Sequence, residues 1–286
     1  MPPKVRCRQI QDQDLDPIAD LLTEGFPDRS RKYWTSGLAR LQTRIIPEDT
    51  PRYGYMLECD GQPVGVLLLI FTGTGEGEAP RFNVSSWYVR PDFRGQASLL
   101  VSLALRRKAA VYLNTSPAPA TLPLLDAMGF KSLSRGQFLS IPALSRSIST
   151  ARIVRIEADS PQGDYPDAVE FELLRAHVAQ DCISLVVRDG PNRVPFVFLK
   201  RDIRYSPAGV LQLAYCRDTG DFARYAGVIG RYMLKTGRLL AICDANGPPP
   251  GLVGRYFEGK SPKYFKGPAA PRMNDLAFTE AVVFGP

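Results

Sequence analysis

From Val5 to Ile10 apolar and polar residues alternate, the period of a strand with one buried face. The next stretch, DQDLDPIADLLTEGF, changes period, because Leu15, Ile18, Leu22 and Phe26 fall on one side of a helix. A second helix is expected around Tyr33 to Ile45. YGYMLECDGQPVGVLLLIF then holds two apolar, β-rich runs joined at Asp60-Gly61. Glycine accepts the positive φ that a tight turn demands, so the pair reads as a β-hairpin. A further strand is expected over about Phe82 to Val89, leading through WYVRPDFRGQASLLVSLALRRK into a basic turn and a helix. AAVYLNTSP reads as a short buried strand, ATLPLLDAMGF as a short helix closed by Gly129, and KSLSRGQFLSI as a returning strand.

Beyond PALSRSIST, polar and proline-containing as a linker would be, the same order starts again. Ala151 to Glu157 alternates, Asp167 to Ala179 has helical spacing, and CISLVVRDGPNRVPFVFLK is a second hairpin whose turn is expected to begin at Asp189-Gly190. VLQLAYC, Asp221 to Thr236 and RLLAIC predict strand, helix and strand, and DLAFTEAVVF predicts a final long strand. The Pro/Gly-rich, basic segment GPPPGLVGRYFEGKSPKYFKGPAAPR reads either as a long surface loop or as an element that shapes a cleft between the halves. The recurrence predicts a duplicated α/β unit, with domains at 1–142 and 151–286.

Length agrees: 286 residues exceed the usual single core and suit two units of roughly 100–150 residues. No apolar run approaches the roughly 20 residues of a membrane span, and MPPKVRCRQIQDQD has no apolar core of a signal peptide, so cytoplasm is the default expectation. Cys7, Cys59, Cys182, Cys216 and Cys243 are scattered without a C-x-x-C pair, which argues against a disulfide framework and a zinc site. His177 is the single histidine, beside Leu174 and Val178 on a helical pattern. It reads as structural, and no two-histidine metal site can be assembled. A net charge of +7 favours an anionic partner over a cationic one. Lys260, Lys263 and Lys266 face one acid, Glu258, and read as solvated basic surface or as part of such an anion site.

Candidate chemistry centres on the basic turn. A strand ending at Val89 and a helix starting after RPDFRGQAS leave unpaired backbone N–H groups at the positive end of the helix dipole. Gly95 lets the backbone approach a ligand, Arg94 adds charge, and Gln96, Ala97, Ser98 and Leu99 would point donors outward. The same residues also make an ordinary strand-to-helix connection, and physics alone leaves both readings open. Arg106, Arg107 and Lys108 complement the helix's C-terminal end and need no other role.

In its setting, VRPDFRGQASL resembles motif A of the GNAT superfamily of acyl-CoA-dependent N-acyltransferases: Val89 and Pro91 match the strand end, and Arg94 with Gly95 match the phosphate-binding turn. The likeness covers about residues 4–140 and includes LLDAMGF, similar to the family's late helix closing on a Gly-Phe pair, here Gly129 and Phe130. It implies two tandem α/β (α+β) domains, each a mixed, mostly antiparallel twisted sheet flanked by helices. It also implies that Arg94, Gly95, Gln96, Ala97, Ser98 and Leu99 bind the pyrophosphate of acetyl-CoA or another acyl-CoA, and that the strand end at Tyr88 and Val89 holds the pantetheine arm. The implied reaction is acyl transfer to a small-molecule or peptide amine. Ala97 and Leu99 stand at the family's glycine and Gly/Ala positions, Leu125 stands where the family carries a thiolate-protonating Tyr, and RFNVSSWYV carries no Glu at the usual place of a base. Tyr88 and Ser116 are the catalytic candidates that remain, with Ser85, Tyr112 and Asn114 nearby, and each also reads as a structural hydrogen-bonding residue.

The second half has no Arg-Gly turn, so it is expected to have lost cofactor binding. Gly227 and Gly230 are expected to pack closely rather than to meet phosphate. Two alternatives share the fold: an acyl-CoA-binding scaffold without turnover, and a Fem-type transferase using aminoacyl-tRNA. The latter is disfavoured, as is nucleic acid in general, because the basic residues form no aromatic-interleaved stripe in the first half.

Overall fold

The computed structural model describes residues 5–74, 79–146, 148, 150–203 and 206–285. The first half runs β1 (Val5–Gln9), α1 (Leu15–Gly25), α2 (Arg31–Gln42), β2 (Gly54–Cys59), β3 (Gln62–Thr74), β4 (Pro80–Val89), α3 (Ala97–Ala104), β5 (Val111–Asn114), α4 (Leu122–Ala127) and β6 (Lys131–Ser140). The second runs β7 (Arg152–Ile156), α5 (Ala168–Val178), β8 (Ile183–Asp189), β9 (Asn192–Ile203), β10 (Ser206–Cys216), α6 (Thr219–Lys235), β11 (Ala241–Ala245), β12 (Gly254–Lys266) and α7 (Glu280–Val283). The elements expected over the first half are all present. Asp60 and Gly61 form the hairpin turn with φ of 50° and 78°, both in the left-handed region. The second hairpin closes one residue later than expected: Asp189 still pairs with Asn192, and Gly190, at φ 57°, leads the turn with Pro191.

All strands join one 12-stranded sheet in the order β1-β2-β3-β4-β5-β12-β6-β11-β10-β9-β8-β7. Read from either end, the order is the same with the halves interchanged, because β6 and β12 trade places at the centre. Each half thus contributes its last strand to the other half's sheet. Among the described residues only β4–β5 and β10–β11 are parallel, at matching places in the two halves. Gly254–Glu258 of β12 pairs with Gly136–Ser140 of β6, so backbones meet at two glycines: a Cβ on Gly136 would lie 2.3 Å from Phe257 O, and one on Gly254 2.1 Å from Leu139 O.

The structure corrects three expectations. GRYFEGKSPKYFK is no surface loop but β12, interrupted by left-handed Gly259 (φ 73°) and Ser261 (φ 47°) between its two stretches of pairing with β6. Lys263, expected on basic surface, is buried there against Asp244, with Nζ 2.6 Å from Oδ1. DLAFTEAVVF is no strand: Thr279 precedes a short helix, α7, whose Val282 and Val283 are buried. PALSRSIST begins with a 3-10 turn over Pro142–Leu144 that packs on α6, where a Cβ on Gly230 would strike Ala143 N at 2.1 Å, as expected for a close-packing glycine. Ser147 and Ser149 of that stretch lie outside the described residues.

Helices cover both faces of each half, so β3 and β8 read as near-continuous apolar runs. In the first half, Ile18 and Leu22 of α1 with Trp34 and Leu38 of α2 meet Met56, Val66 and Leu68. On the other face Leu100 of α3 and Leu125 of α4 meet Leu57, Leu67 and Phe82. In the second half, Phe222, Tyr225 and Ile229 of α6 cover one face and Phe171 and Leu174 of α5 the other.

Residues 272–285 strap the halves together. Asp275 makes a buried, two-pronged ion pair with Arg81 of β4, at 2.6 and 3.0 Å, and also meets Arg272 at 3.0 Å. Burial pushes the Asp275 carboxyl up, but the two arginines outweigh it and hold the group below the usual carboxylate range. His177 accepts the Phe278 N–H through Nε2 at 3.2 Å while its Nδ1 lies 2.7 Å from Leu173 O, which places the ring proton on Nδ1. Farther along, Arg40 Nη1 donates to Val283 O and Tyr33 Oη to Gly285 O.

Removing one partner from a buried ion pair leaves an uncompensated charge, so Asp275→Asn is expected to destabilise the protein by about 3–5 kcal/mol in urea denaturation. Arg81→Met combined with Asp275→Leu is expected to recover much of that loss, and additive losses would contradict the pairing argument. Burial lowers His177 to about 4. The unfolded chain therefore takes up its proton first, and His177 contributes a loss of stability as pH falls from about 6.5 toward 4, with none above that range. NMR ring signals of His177 should stay those of the neutral form down to pH about 5. A midpoint near 6.5 would show the ring to be solvated.

Candidate active site

The geometry begins with β4. Its pairing with β3 shifts between Leu67↔Trp87 and Leu68↔Ser85, leaving Ser86 as a bulge at φ 36°. A bulge bends a strand and re-aims its side chains. Pairing with β5 accordingly stops early: Arg81, Phe82 and Asn83 face Val111, Tyr112 and Leu113, while β4 continues to Val89. Beyond Asn83 the two strands part, and a cavity of about 480 Å³ occupies the opening.

One side of the cavity is apolar, formed by Leu67, Val84, Val101, Leu105, Leu125 and Met128. The opposite end is polar. There Glu280, the first residue of α7, is pinned by its backbone N–H to Asn83 Oδ1 at 2.7 Å. Ser85 and Ser116 donate their hydroxyls to its carboxylate, one to each oxygen, and Thr115 Oγ1 adds a third hydrogen bond at 3.2 Å. Burial raises the Glu280 carboxyl above the usual carboxylate range, and the hydroxyls with the charge of Lys263 only partly offset it. Aromatic rings of Phe26, Tyr33 and Trp34 line another wall, and Trp87 stands with the apolar side.

The expected phosphate turn folds as a 3-10 helix over Pro91–Gln96 that runs directly into α3. Arg94, Gly95, Gln96 and Ser98 are exposed, and Ala97 is half-buried with its N–H donating to Arg94 O. A Cβ on Gly95 would meet no atom within 4 Å, so the turn faces open space. Leu99 is 44% exposed and points away from the core. Val89 is buried at the strand end. Tyr88 turns toward α1, its hydroxyl donating to Glu24 Oε1 at 2.9 Å beside the Arg90–Glu24 ion pair. Burial and the Glu24 carboxylate raise its phenol. Tyr112 is buried, with its hydroxyl bonded to the Arg107 backbone. Ser85, Asn114 and Ser116 all line the cavity.

Sequence reasoning missed Glu280. It lies 195 positions from Ser85, in a segment read as a strand. The one local signal was Thr279 followed by Glu280, a helix-start pattern.

The matching opening of the second half is closed. Pairing of β10 with β11 is confined to Leu211↔Ala241 and Gln212↔Ile242, and β10 carries a bulge at Ala214. The strap fills the gap: Leu276 N–H donates to Ala214 O at 2.7 Å. Asn274 accepts the Asp244 N–H at 2.7 Å and donates to Asp244 O at 3.1 Å.

Among the described residues no group of three or more His, Cys, Asp or Glu is placed to hold a metal, and no helix is long and apolar enough to cross a membrane.

No protein-family model and no curated protein matches the chain. Solved structures do. The chain is similar to a GCN5-related N-acetyltransferase from Anabaena variabilis, with TM-score 0.59 and 9% identity over 92% of this chain and 72% of that one. It is also similar to a putative acetyltransferase from Pyrococcus horikoshii, with TM-score 0.56 and 13% identity over 96% and 93%. A GCN5-related N-acetyltransferase from Kribbella flavida gives TM-score 0.59 and 14% identity over 92% and 71%. At such identities the likeness is one of architecture, and the chain has the fold of the GCN5-related N-acetyltransferases across nearly its whole length.

Proposed function

We propose that the protein is an acyl-CoA-dependent N-acyltransferase, with acetyl-CoA or another acyl-CoA bound by the half comprising residues 1–142. The observation that carries this reading is the opening between β4 and β5, apolar along one side and polar at its end, with the Arg94–Gly95 turn leading into α3, whose Val101 lines the apolar side. A pantetheine arm with its acyl group suits such a slot: about 480 Å³ accepts a slender chain, and Val84, Val101 and Leu105 bury its apolar stretches. Arg94, the exposed Gly95–Gln96 backbone and the Ser98 hydroxyl would hold the pyrophosphate. The half comprising residues 151–286 supplies β12 and the strap, and its own opening is filled by Asn274 and Leu276.

When bound, the cosubstrate supplies an activated acyl group as a thioester. The chain's contribution is orientation of the acceptor amine beside that thioester, exclusion of water by the apolar wall, and removal of a proton from the acceptor. Acceptors that fit are small-molecule or peptide primary amines.

Leu125 favours a second reading. It is buried in the cavity wall where a protonating Tyr would stand, so a chain that binds acyl-CoA without turning it over is the alternative.

Isothermal titration with acetyl-CoA tests the binding claim. One equivalent is expected to bind, and Gly95→Glu, which the open space around Gly95 accommodates, is expected to weaken it at least about tenfold through charge repulsion. No binding by the wild type, or equal binding by the variant, contradicts the assignment. Binding with no thiol release across a panel of amines selects the second reading.

A further inference from the structure

Every acid that is buried in the described structure has a cation against it, whereas Glu280, half-buried at the polar end of the cavity, has none. Asp14 and Glu58 meet Arg8, Glu170 meets Arg217, Asp244 meets Lys263, and Asp275 meets Arg81. Glu280 is held by hydroxyls instead: its partners Ser85, Thr115 and Ser116 are neutral, and none of the ion pairs among the described residues includes it. A carboxylate taken out of water without a cation costs several kcal/mol, and a neutral amide could tie α7 to these hydroxyls without that cost. Glu280 is moreover the only acid among the residues lining the cavity. An unpaired carboxylate at the polar end of a cavity is a receptor for a cation.

We propose that Glu280 receives the protonated amine of the acceptor and is the general base of the transfer; this rests on the acyltransferase reading above. The helix start places it where the function requires. Asn83 fixes its backbone, Ser116 and Thr115 engage one carboxylate oxygen, and the other, Oε2, accepts only from Ser85 and keeps a lone pair for an ammonium. Ser85 lies on β4, the strand whose own sequence carries no carboxylate, so the strap delivers from the second half what the first half's strand lacks. The aromatic wall of Phe26, Tyr33 and Trp34 suits the organic part of an amine and favours its charge.

In the transfer, the Glu280 carboxylate takes one proton from R–NH3+, leaving R–NH2. The nitrogen lone pair forms the new C–N bond at the thioester carbonyl carbon, the C–S bond breaks with its electron pair going to sulfur, and the second nitrogen proton ends on the thiolate. The products are R–NH–acyl and the free thiol, and the proton on Glu280 returns to solvent. Lys263 from β12 and Tyr33 from α2 interact with this carboxylate, and Arg201 from β9 and Arg29 between α1 and α2 line the same cavity. Lys263 and the three hydroxyls favour its ionised form while burial, the larger effect, opposes it, so Glu280 is a stronger base than an exposed carboxylate and remains the group whose protonation at low pH stops the reaction.

The experiment compares wild type, Glu280→Gln and Ser116→Ala in three measurements. Difference infrared spectroscopy over a pH titration identifies the Glu280 carboxyl band as the one missing from Glu280→Gln, and its midpoint is expected above the usual carboxylate range. Calorimetry with acetyl-CoA is expected to give the same affinity for all three proteins, within about twofold. Acetyl transfer to spermidine, phenethylamine and glucosamine is expected to fall by about 10²–10⁴-fold in Glu280→Gln, with loss of the acidic limb of the pH–rate profile. Ser116 is exposed and its hydroxyl lowers the carboxyl pKa, so Ser116→Ala is expected to shift the infrared midpoint and the acidic limb upward together. The proposal is overturned if Glu280→Gln transfers acetyl within threefold of wild type, or if the limb and the infrared midpoint move independently in Ser116→Ala. Failure of the acyl-CoA reading is separately visible as absent acetyl-CoA binding by the wild type.

Discussion

The antiparallel pairing of β6 with β12 is the contact on which the rest of the molecule hangs. Because each of these strands belongs in sequence to one half and borders the other half's fifth strand, neither half can complete its sheet from its own chain. Backbone approach at Gly136 and Gly254 lets the two strands meet, and the buried Lys263–Asp244 pair ties β12 to β11 across β6. Stability of one half is therefore coupled to the presence of the other, as in an obligate dimer whose subunits have been fused.

Symmetry at the centre is broken by the strap. After β12 the chain passes first across the second half, where Asn274 and Leu276 pair with β11 and β10, and then across the first, where Glu280 bonds Asn83 and Ser85. In one opening the strap binds backbone groups and closes the gap; in the other it stops at the polar end and leaves room. A single asymmetric segment laid over a symmetric sheet thus makes one cavity rather than two. Asp275, between Asn274 and Leu276, ties that same stretch of the strap to Arg81 of the first half.

How legible this was in the sequence depended on the range of the interaction. Hairpin turns, helix faces and the recurrence of elements rest on neighbours a few positions apart, and Asp60-Gly61, Ile18, Leu22 and Gly230 stand as their local chemistry implied. β12 was hidden because its Gly and Pro content reads as loop, while its strand character comes from filling the space between β5 and β6. The tail was misread because Leu276, Ala277, Val282 and Val283 are all buried, which mimics a strand, although they cover the sheet rather than join it as a β-ladder. The basic stretch was legible from its own residues as a turn between strand and helix. Glu280 meets Ser85 and Ser116 from distant stretches, and no pattern within any of them announces the meeting.

The central claim is that one opening of this duplicated fold holds acyl-CoA and the other is closed. A crystal structure of the protein soaked with coenzyme A tests it directly. The account predicts one molecule per chain, its pyrophosphate on the Arg94–Leu99 turn, its pantetheine between β4 and β5, and its thiol directed toward the end of the cavity that Glu280 occupies. Coenzyme A between β10 and β11, or density elsewhere with the β4–β5 opening left empty, would contradict it.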